Sequence, residues 1–178
     1  MPEESSIHVF LASDESYVPH LAVTIVSILR NANPDDRFDF RVLSRDIAET
    51  SRERLARLAE GRGAALCFIE PGAGMLRTFE SLMVLKEDDY VNVTSYLRLA
   101  MGELLPDLDR VLYLDCDILA RKSLSPLWKV DLGDRTLAAV EDQGFGEKMD
   151  FEKGLLGVSR YFNSGVLLVA LDRWRRER

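Results

Sequence analysis

The chain has 178 residues, 47% of them hydrophobic and 30% charged, and a formal net charge of −7. That length and apolar content suit one domain, residues 1–178, or part of a larger one. The acidic balance argues against a nucleic-acid binder working by general electrostatics, and the two cysteines, Cys67 and Cys116, are too few for a structural zinc site.

Two reduced thiols are a simpler expectation than one disulfide. The longest apolar run, LAVTIVSIL at 21–29, is too short to span a bilayer. The opening MPEESS is acidic and polar, the opposite of a secretory signal. These features imply a cytoplasmic protein, with any attachment to the inner face of a membrane made through parts outside this sequence.

In chain order, IHVFLAS at 7–13 reads as a buried strand that runs into DESY. Pro19 can open a helix that HLAVTIVSILRNA continues on a mostly apolar face. FDFRVLS at 38–44 alternates and reads as a second strand. Thr50 and Ser51 lead into a helix with leucines at 55 and 58 and a glycine stop at Gly61 or Gly63. AALCFIE at 64–70 is a third strand, and PGAG at 71–74 a turn. VTSYLRLAMGELLP at 93–106 looks helical, with Pro106 at its end. RVLYLD at 110–115, TLAAVED at 136–142 and GVLLVAL at 165–171 are further strands, with a looser segment over 143–160. Strands alternating with helices imply an α/β fold, a parallel or mixed sheet with helices on both faces.

In such folds ligands gather outside the carboxyl ends of the strands. Four proposed strands end in acids: Asp14 and Glu15, Glu70, Asp115 and Asp117, and Glu141 and Asp142. Two Asp-x-Asp pairs compete for chemistry. Asp107 and Asp109 follow Pro106 ahead of a strand, where a solvated loop suffices. Asp115 and Asp117 follow a strand that should be buried on both faces. If the chain stays extended there, both carboxylates point to one side. They would repel, one would tend to take a proton, and a divalent cation would relieve them. All-oxygen ligands favour Mg²⁺ or Mn²⁺ over Zn²⁺. Cys116, between them, reads as a small core residue. Spacing alone leaves two enzyme classes open. One is a haloacid-dehalogenase-like phosphotransferase, with nucleophilic and acid/base aspartates. The other is a metal-dependent glycosyltransferase.

The remaining blocks favour the second. FLASDESYVPHLAVTIVSIL, then TSYLRLAMGELLPDLDRVLYLDCDILARKSLSPLW, DLGDRTLAAVED and YFNSGVLLVALDRWR, in that order, resemble glycosyltransferase family 8 from about residue 7 onward. The family comprises retaining enzymes with a Rossmann-like GT-A nucleotide-diphospho-sugar transferase fold, a mixed, mostly parallel sheet. The resemblance implies transfer of a hexose from UDP-galactose or UDP-glucose to a saccharide acceptor, as in lipopolysaccharide or other cell-surface glycan synthesis. It implies Asp115 and Asp117 as ligands of Mn²⁺ or Mg²⁺, with Cys116 in the same donor-binding segment. It places Ala12, Asp14 and Tyr17 around the nucleoside, Asp14 accepting from the uracil N–H and Tyr17 stacking on the base. Ser16 stands where relatives often carry Asn. Arg98 resembles an arginine that reaches the donor sugar or its phosphate. Asp142 and Asn163 resemble residues that contact the transferred sugar, with Ser164 and Gly165 supplying nearby backbone. Each has a plainer rival: Tyr17 as sheet-edge cover, Arg98 as a helix-surface charge, Asp142 as a strand-end acid, Asn163 as a turn cap.

Relatives continue past the point where this sequence stops, with an Asp-Gln-Asp-type segment and a His that completes the metal site. The resemblance therefore implies the N-terminal, donor-binding part of such an enzyme. A part that binds UDP-sugar without turnover is the second reading, and uncovered apolar surface would favour self-association. His8 and His20 match neither role: His8 reads as a strand residue and His20 as a helix-surface or pocket-rim residue.

Overall fold

The computed structural model describes residues 6–82, 96–142 and 161–177. The start of the third predicted helix, 93–95, and the looser segment over 143–160 lie outside the described residues.

Among the described residues six strands form one sheet: β1 (Ile7–Ser13), β2 (Phe38–Ser44), β3 (Ala65–Ile69), β4 (Arg110–Leu114), β5 (Leu137–Glu141) and β6 (Phe162–Ala170), in the order β3-β2-β1-β4-β6-β5. β1 pairs in parallel with both β2 and β4, and β2 with β3. β6 runs antiparallel between β4 and β5. The sheet is thus mixed and mostly parallel, as expected. β1 and β4 at its centre are buried on both faces, so both read as continuous apolar runs.

Helices cover both faces. α1 (Val18–Arg30) and α2 (Glu49–Glu60) cover one of them. α1 buries Leu21, Ile25 and Ile28, and α2 a single stripe of Ser51, Leu55 and Ala59 at a spacing of four. The opposite face holds Leu97, Met101, Leu105 and Leu171 over Phe10, Val111 and Tyr113. There the chain forms α3 (Ala73–Leu82), a 3₁₀ turn (Leu97–Ala100), α4 (Met101–Leu104) and, after β6, α6 (Leu171–Arg176). A short α5 (Ser125–Trp128) precedes β5.

Several local expectations are corrected. PGAG does not remain a turn: α3 begins at Ala73, because Met75, Leu76 and Phe79 pack onto the second core and outweigh the low helix propensity of Gly74. The described part of the third predicted helix is two tight pieces rather than one regular helix. α2 starts at Glu49, before Thr50, and Ala48 at its cap position has no side-chain acceptor. A remote residue supplies one: Glu15 Oε2 accepts from the Ala48 N–H and Oε1 from Ser51 Oγ, both at 2.8 Å. Gly63, at φ 72°, turns the chain after α2 into β3, where a side chain would be strained. Both cysteines are free, as expected.

No helix among the described residues is long and apolar enough to cross a membrane.

Candidate functional site

The chain leaves β1 outward to β2 and β3, then returns to β4 on the other side of β1. That reversal opens a crevice beyond the carboxyl ends of β1 and β4, where ligands collect in open α/β sheets. β5, antiparallel to β6, runs in the direction of β4, so Glu141 and Asp142 end on this edge. β6 begins on it, three residues earlier than its apolar run suggests, and so carries Asn163, Ser164 and Gly165 there as strand residues.

Asp115 lies at the centre. β4 ends at Leu114, and the Asp115 N–H donates to Gly165 C=O at 2.8 Å, which extends the pairing with β6 by one step. Its carboxylate is gripped on one oxygen. Oδ1 accepts from the Tyr113 hydroxyl at 2.7 Å and pairs with Arg98 Nη1 at 3.2 Å. The same Nη1 donates to Ser164 C=O at 2.8 Å and lies 3.2 Å from Ser164 Oγ. The guanidinium carbon stands 4.7 Å from the Tyr113 ring centroid, a cation–π contact. Arg98 is therefore not a solvated helix-surface charge: its side chain is only 14% exposed and ties the strand end to the start of β6. Burial, with the Asp115 charge adding, pushes the Tyr113 phenol well above the ordinary tyrosine range, which keeps its proton available to donate.

Asp115 Oδ2 receives no hydrogen bond from the described residues and faces Gly165, where a Cβ would stand only 2.6 Å away. The absence of a side chain at Gly165 is what gives this oxygen room. Asp117 is exposed and lies in a turn with Cys116, so the pair is not carried on an extended strand as its spacing suggests. The Cys116 side chain packs against the first core, and burial, with the Asp117 charge adding, pushes its thiol up to about 11.

The other expected residues surround this centre. Ala12 is buried in β1. Asp14 follows β1, its Oδ1 accepting from Ser16 Oγ at 2.6 Å and from the Tyr17 N–H at 3.2 Å, so it caps the 3₁₀ turn Glu15–Tyr17. Tyr17 is 43% exposed, its ring 5.1 Å from that of His20. Asn163 Oδ1 accepts from the Gly165 N–H at 2.8 Å, a local contact within β6 rather than a turn cap ahead of it, and among the described residues its amide NH₂ makes no hydrogen bond. Asn163 and Asp142 line one hollow of about 520 Å³ with Val140, Glu141 and Val166.

Asp107 and Asp109 sit ahead of β4, at the opposite edge of the sheet. Asp107 pairs with Arg41 at 3.2 Å and Asp109, 91% exposed, with Arg175 at 3.6 Å. They are surface ion pairs remote from the crevice, in keeping with the solvated-loop reading.

A divalent cation is compatible with this donor set. Asp115 and Asp117 are hard oxygen donors, Asp115 keeps one oxygen clear of protein donors, and a Mg²⁺ or Mn²⁺ held by two carboxylates normally completes its shell with phosphates and water. Among the described residues no cluster of three His, Cys, Asp or Glu could hold a metal without such outside ligands.

Residue-type reasoning misses the parts that five residues play. Tyr113 stands two residues before Asp115 on the same face of the chain, a period-two signal. Glu15 joins the loop after β1 to α2, and no local pattern announces that. Thr24 and Ser27 on α1 and Asn31 at its C-terminal cap form a polar stripe on an otherwise apolar face, and all three bond to the segment around Asp117.

A family model described as glycosyl transferase family 8 matches residues 8–178. General stress protein A of Bacillus subtilis is 28% identical over 179 residues, covering 99% of this chain and 60% of that protein. A putative glycosyltransferase of Haemophilus influenzae is 28% identical, covering 97% and 51%. The crystal structure of the galactosyltransferase LgtC in complex with donor and acceptor sugar analogues matches with a TM-score of 0.83 at 37% identity, covering 96% of this chain and 60% of that one. The chain thus spans between 51% and 60% of the length of these relatives.

Proposed function

Because this chain belongs to glycosyl transferase family 8, we propose that it is the donor-binding part of a retaining, metal-dependent hexosyltransferase. The donor is UDP-galactose or UDP-glucose, and the acceptor a saccharide of a cell-surface glycan such as lipopolysaccharide. The observation that carries this reading is the clamped Asp115, with one oxygen bound by Tyr113 and Arg98 and the other facing the space left by Gly165, at the switch point of the sheet. The likeness to a galactosyltransferase bound to donor and acceptor analogues supports a nucleotide-sugar donor and a saccharide acceptor.

In this reading the residues act mainly by placement. Tyr17 presents an exposed ring beside Asp14 at the end of β1, where a base stacks and Asp14 Oδ2 accepts its imide proton. Asp115 and Asp117 hold Mn²⁺ or Mg²⁺, and such an ion, when bound, neutralises charge that builds on the departing diphosphate. Arg98 keeps the Asp115 carboxylate aimed and adds positive charge on the same side. Asp142 and Asn163 line the hollow beside this centre, suited to hydroxyl groups of the transferred sugar. An acceptor site and a third metal ligand are not assigned to the described residues.

Calorimetry of this chain with UDP, with and without Mn²⁺, tests the reading. Mn²⁺-dependent binding is expected, and its absence in a folded sample excludes the cation site. Release of UDP from UDP-glucose or UDP-galactose then separates a hexosyltransferase from a part that binds without turnover.

A further inference from the structure

α1 carries polar side chains where its packing face should be apolar. Thr24 is fully buried and Ser27 is 7% exposed, and with the half-buried Asn31 they lie at i, i+3 and i+7 along one side of the helix. A buried hydroxyl or amide is unfavourable unless it is hydrogen-bonded, and each of these is. Their distant partners all lie in one short segment. Thr24 Oγ1 stands 2.8 Å from the carbonyl oxygens of both Cys116 and Ile118. Ser27 Oγ accepts from the Ala120 N–H at 2.9 Å and donates to Thr24 C=O at 2.8 Å. Asn31 Nδ2 donates to Ala120 C=O at 3.0 Å and to Ser27 C=O at 2.9 Å.

Cys116 and Ile118 are the residues on either side of Asp117. One hydroxyl proton shared between their two carbonyls holds the backbone before and after that aspartate, and with it the direction in which its Cα–Cβ bond leaves the turn. Asp117 itself is exposed, and the described residues supply no hydrogen bond that could orient its carboxylate directly. The turn lies outside the sheet, so the ladder that fixes Asp115 through Gly165 does not reach it.

We infer that Thr24, supported by Ser27 and Asn31, is a positioning residue for Asp117: it sets the aspartate's place from the far side of the turn without touching the ligand. This rests on the reading of Asp117 as a cation-holding group. Without the Thr24 hydroxyl two inward-facing carbonyls lose their donor, and the turn re-forms around water with Asp117 redirected. Removing an outer partner of a metal-binding group commonly weakens affinity by about ten- to a hundred-fold.

The test compares Thr24→Val, which keeps the shape and removes the donor, with Thr24→Ser, which keeps the donor. Two readouts are taken on the whole chain: amide hydrogen exchange over residues 116–120, and UDP affinity in Mn²⁺ and in EDTA. Thr24→Val should speed exchange in that segment and weaken Mn²⁺-dependent UDP binding by about ten- to a hundred-fold. UDP affinity in EDTA should not change, and Thr24→Ser should behave as wild type. Unchanged exchange in Thr24→Val, or unchanged affinity in Mn²⁺, overturns the inference. If the wild type binds no UDP in Mn²⁺, the proposed function fails, and the exchange data alone then decide whether Thr24 holds the turn. Should Thr24→Val not fold, Asn31→Ala, at the half-buried C-terminal cap of α1, applies the same two readouts to the Ala120 end of the segment.

Discussion

A Cβ on Gly165 would stand 2.6 Å from Asp115 Oδ2, closer than real side-chain contacts allow. The obstructing atom belongs to a carboxylate whose other oxygen is already fixed by Tyr113 and Arg98, so it can yield only by giving up that geometry. Gly165→Ala should therefore disturb the site more than the fold. The expected outcome is a thermal midpoint within a few degrees of wild type, with Mn²⁺-dependent UDP affinity reduced at least about ten-fold, the scale on which outer partners act on metal sites. Calorimetry paired with a thermal melt checks both halves, and undiminished affinity would show that Asp115 has room to move.

Tyr113→Phe removes one donor to Asp115 and leaves the ring, its packing and the Arg98 contact in place. Because Asp115 is 36% exposed, water can replace the lost hydroxyl, and the stability loss should stay near 1 kcal/mol. That corresponds to a thermal midpoint about 2–4 °C lower for a chain of this size. Binding of UDP with Mn²⁺ should weaken while binding in EDTA does not. Equal weakening under both conditions would mean that Tyr113 serves the nucleotide rather than Asp115.

The strands are legible in the sequence because burial dictates their composition. β1 and β4 lie between two cores, and their apolar runs leave no other placement for them. Helix α3 is not legible, because Pro71, Gly72 and Gly74 form a turn signal that only tertiary contacts of Met75, Leu76 and Phe79 override. At the site, Asp115 and Arg98 are found by motif, but their contact is not, since 17 positions of chain separate them and the pairing depends on how the 3₁₀ turn packs on β4. The geometry inferred for the Asp115 and Asp117 pair assumes an extended chain. The strand stops at Leu114, and what orients Asp117 instead is a helix about ninety residues earlier in the sequence. Long-range hydrogen bonds of this kind leave only a faint local trace, a few polar residues on an apolar helix face.

The two Asp-x-Asp pairs should separate cleanly by substitution. Asp115→Ala or Asp117→Ala should abolish Mn²⁺-dependent UDP binding. Asp107→Ala should leave it intact, since Asp107 lies at the other edge of the sheet and its partner Arg41 keeps a bond to Asp39. Loss of the exposed Asp107 pair should lower stability by less than about 1 kcal/mol. Equal effects of all three on binding in Mn²⁺ would remove the distinction between the pairs.

Acid should destabilise the protein through two carboxylates far from the crevice. Burial alone would raise Asp36, yet donors outweigh it: Ser125 Oγ on one oxygen, the Asn33 N–H and Ser123 Oγ, both at 2.8 Å, on the other. For Asp39, burial is likewise outweighed, by His8 Nδ1 at 3.0 Å and the Arg41 guanidinium at 2.9 Å. Both carboxyls are thus held below the ordinary range when folded. A depressed folded value means that the unfolded chain takes up the proton first, so the stabilisation is complete above the unfolded value of about 3.9 and is lost as pH falls below it. Urea midpoints should therefore drop between pH 6 and pH 3. Asp36→Asn should be less stable than wild type at pH 6, and its further loss on acidification should be smaller, because one of the two groups no longer titrates. A variant that loses as much stability as wild type over that interval would show that Asp36 contributes nothing to the acid response.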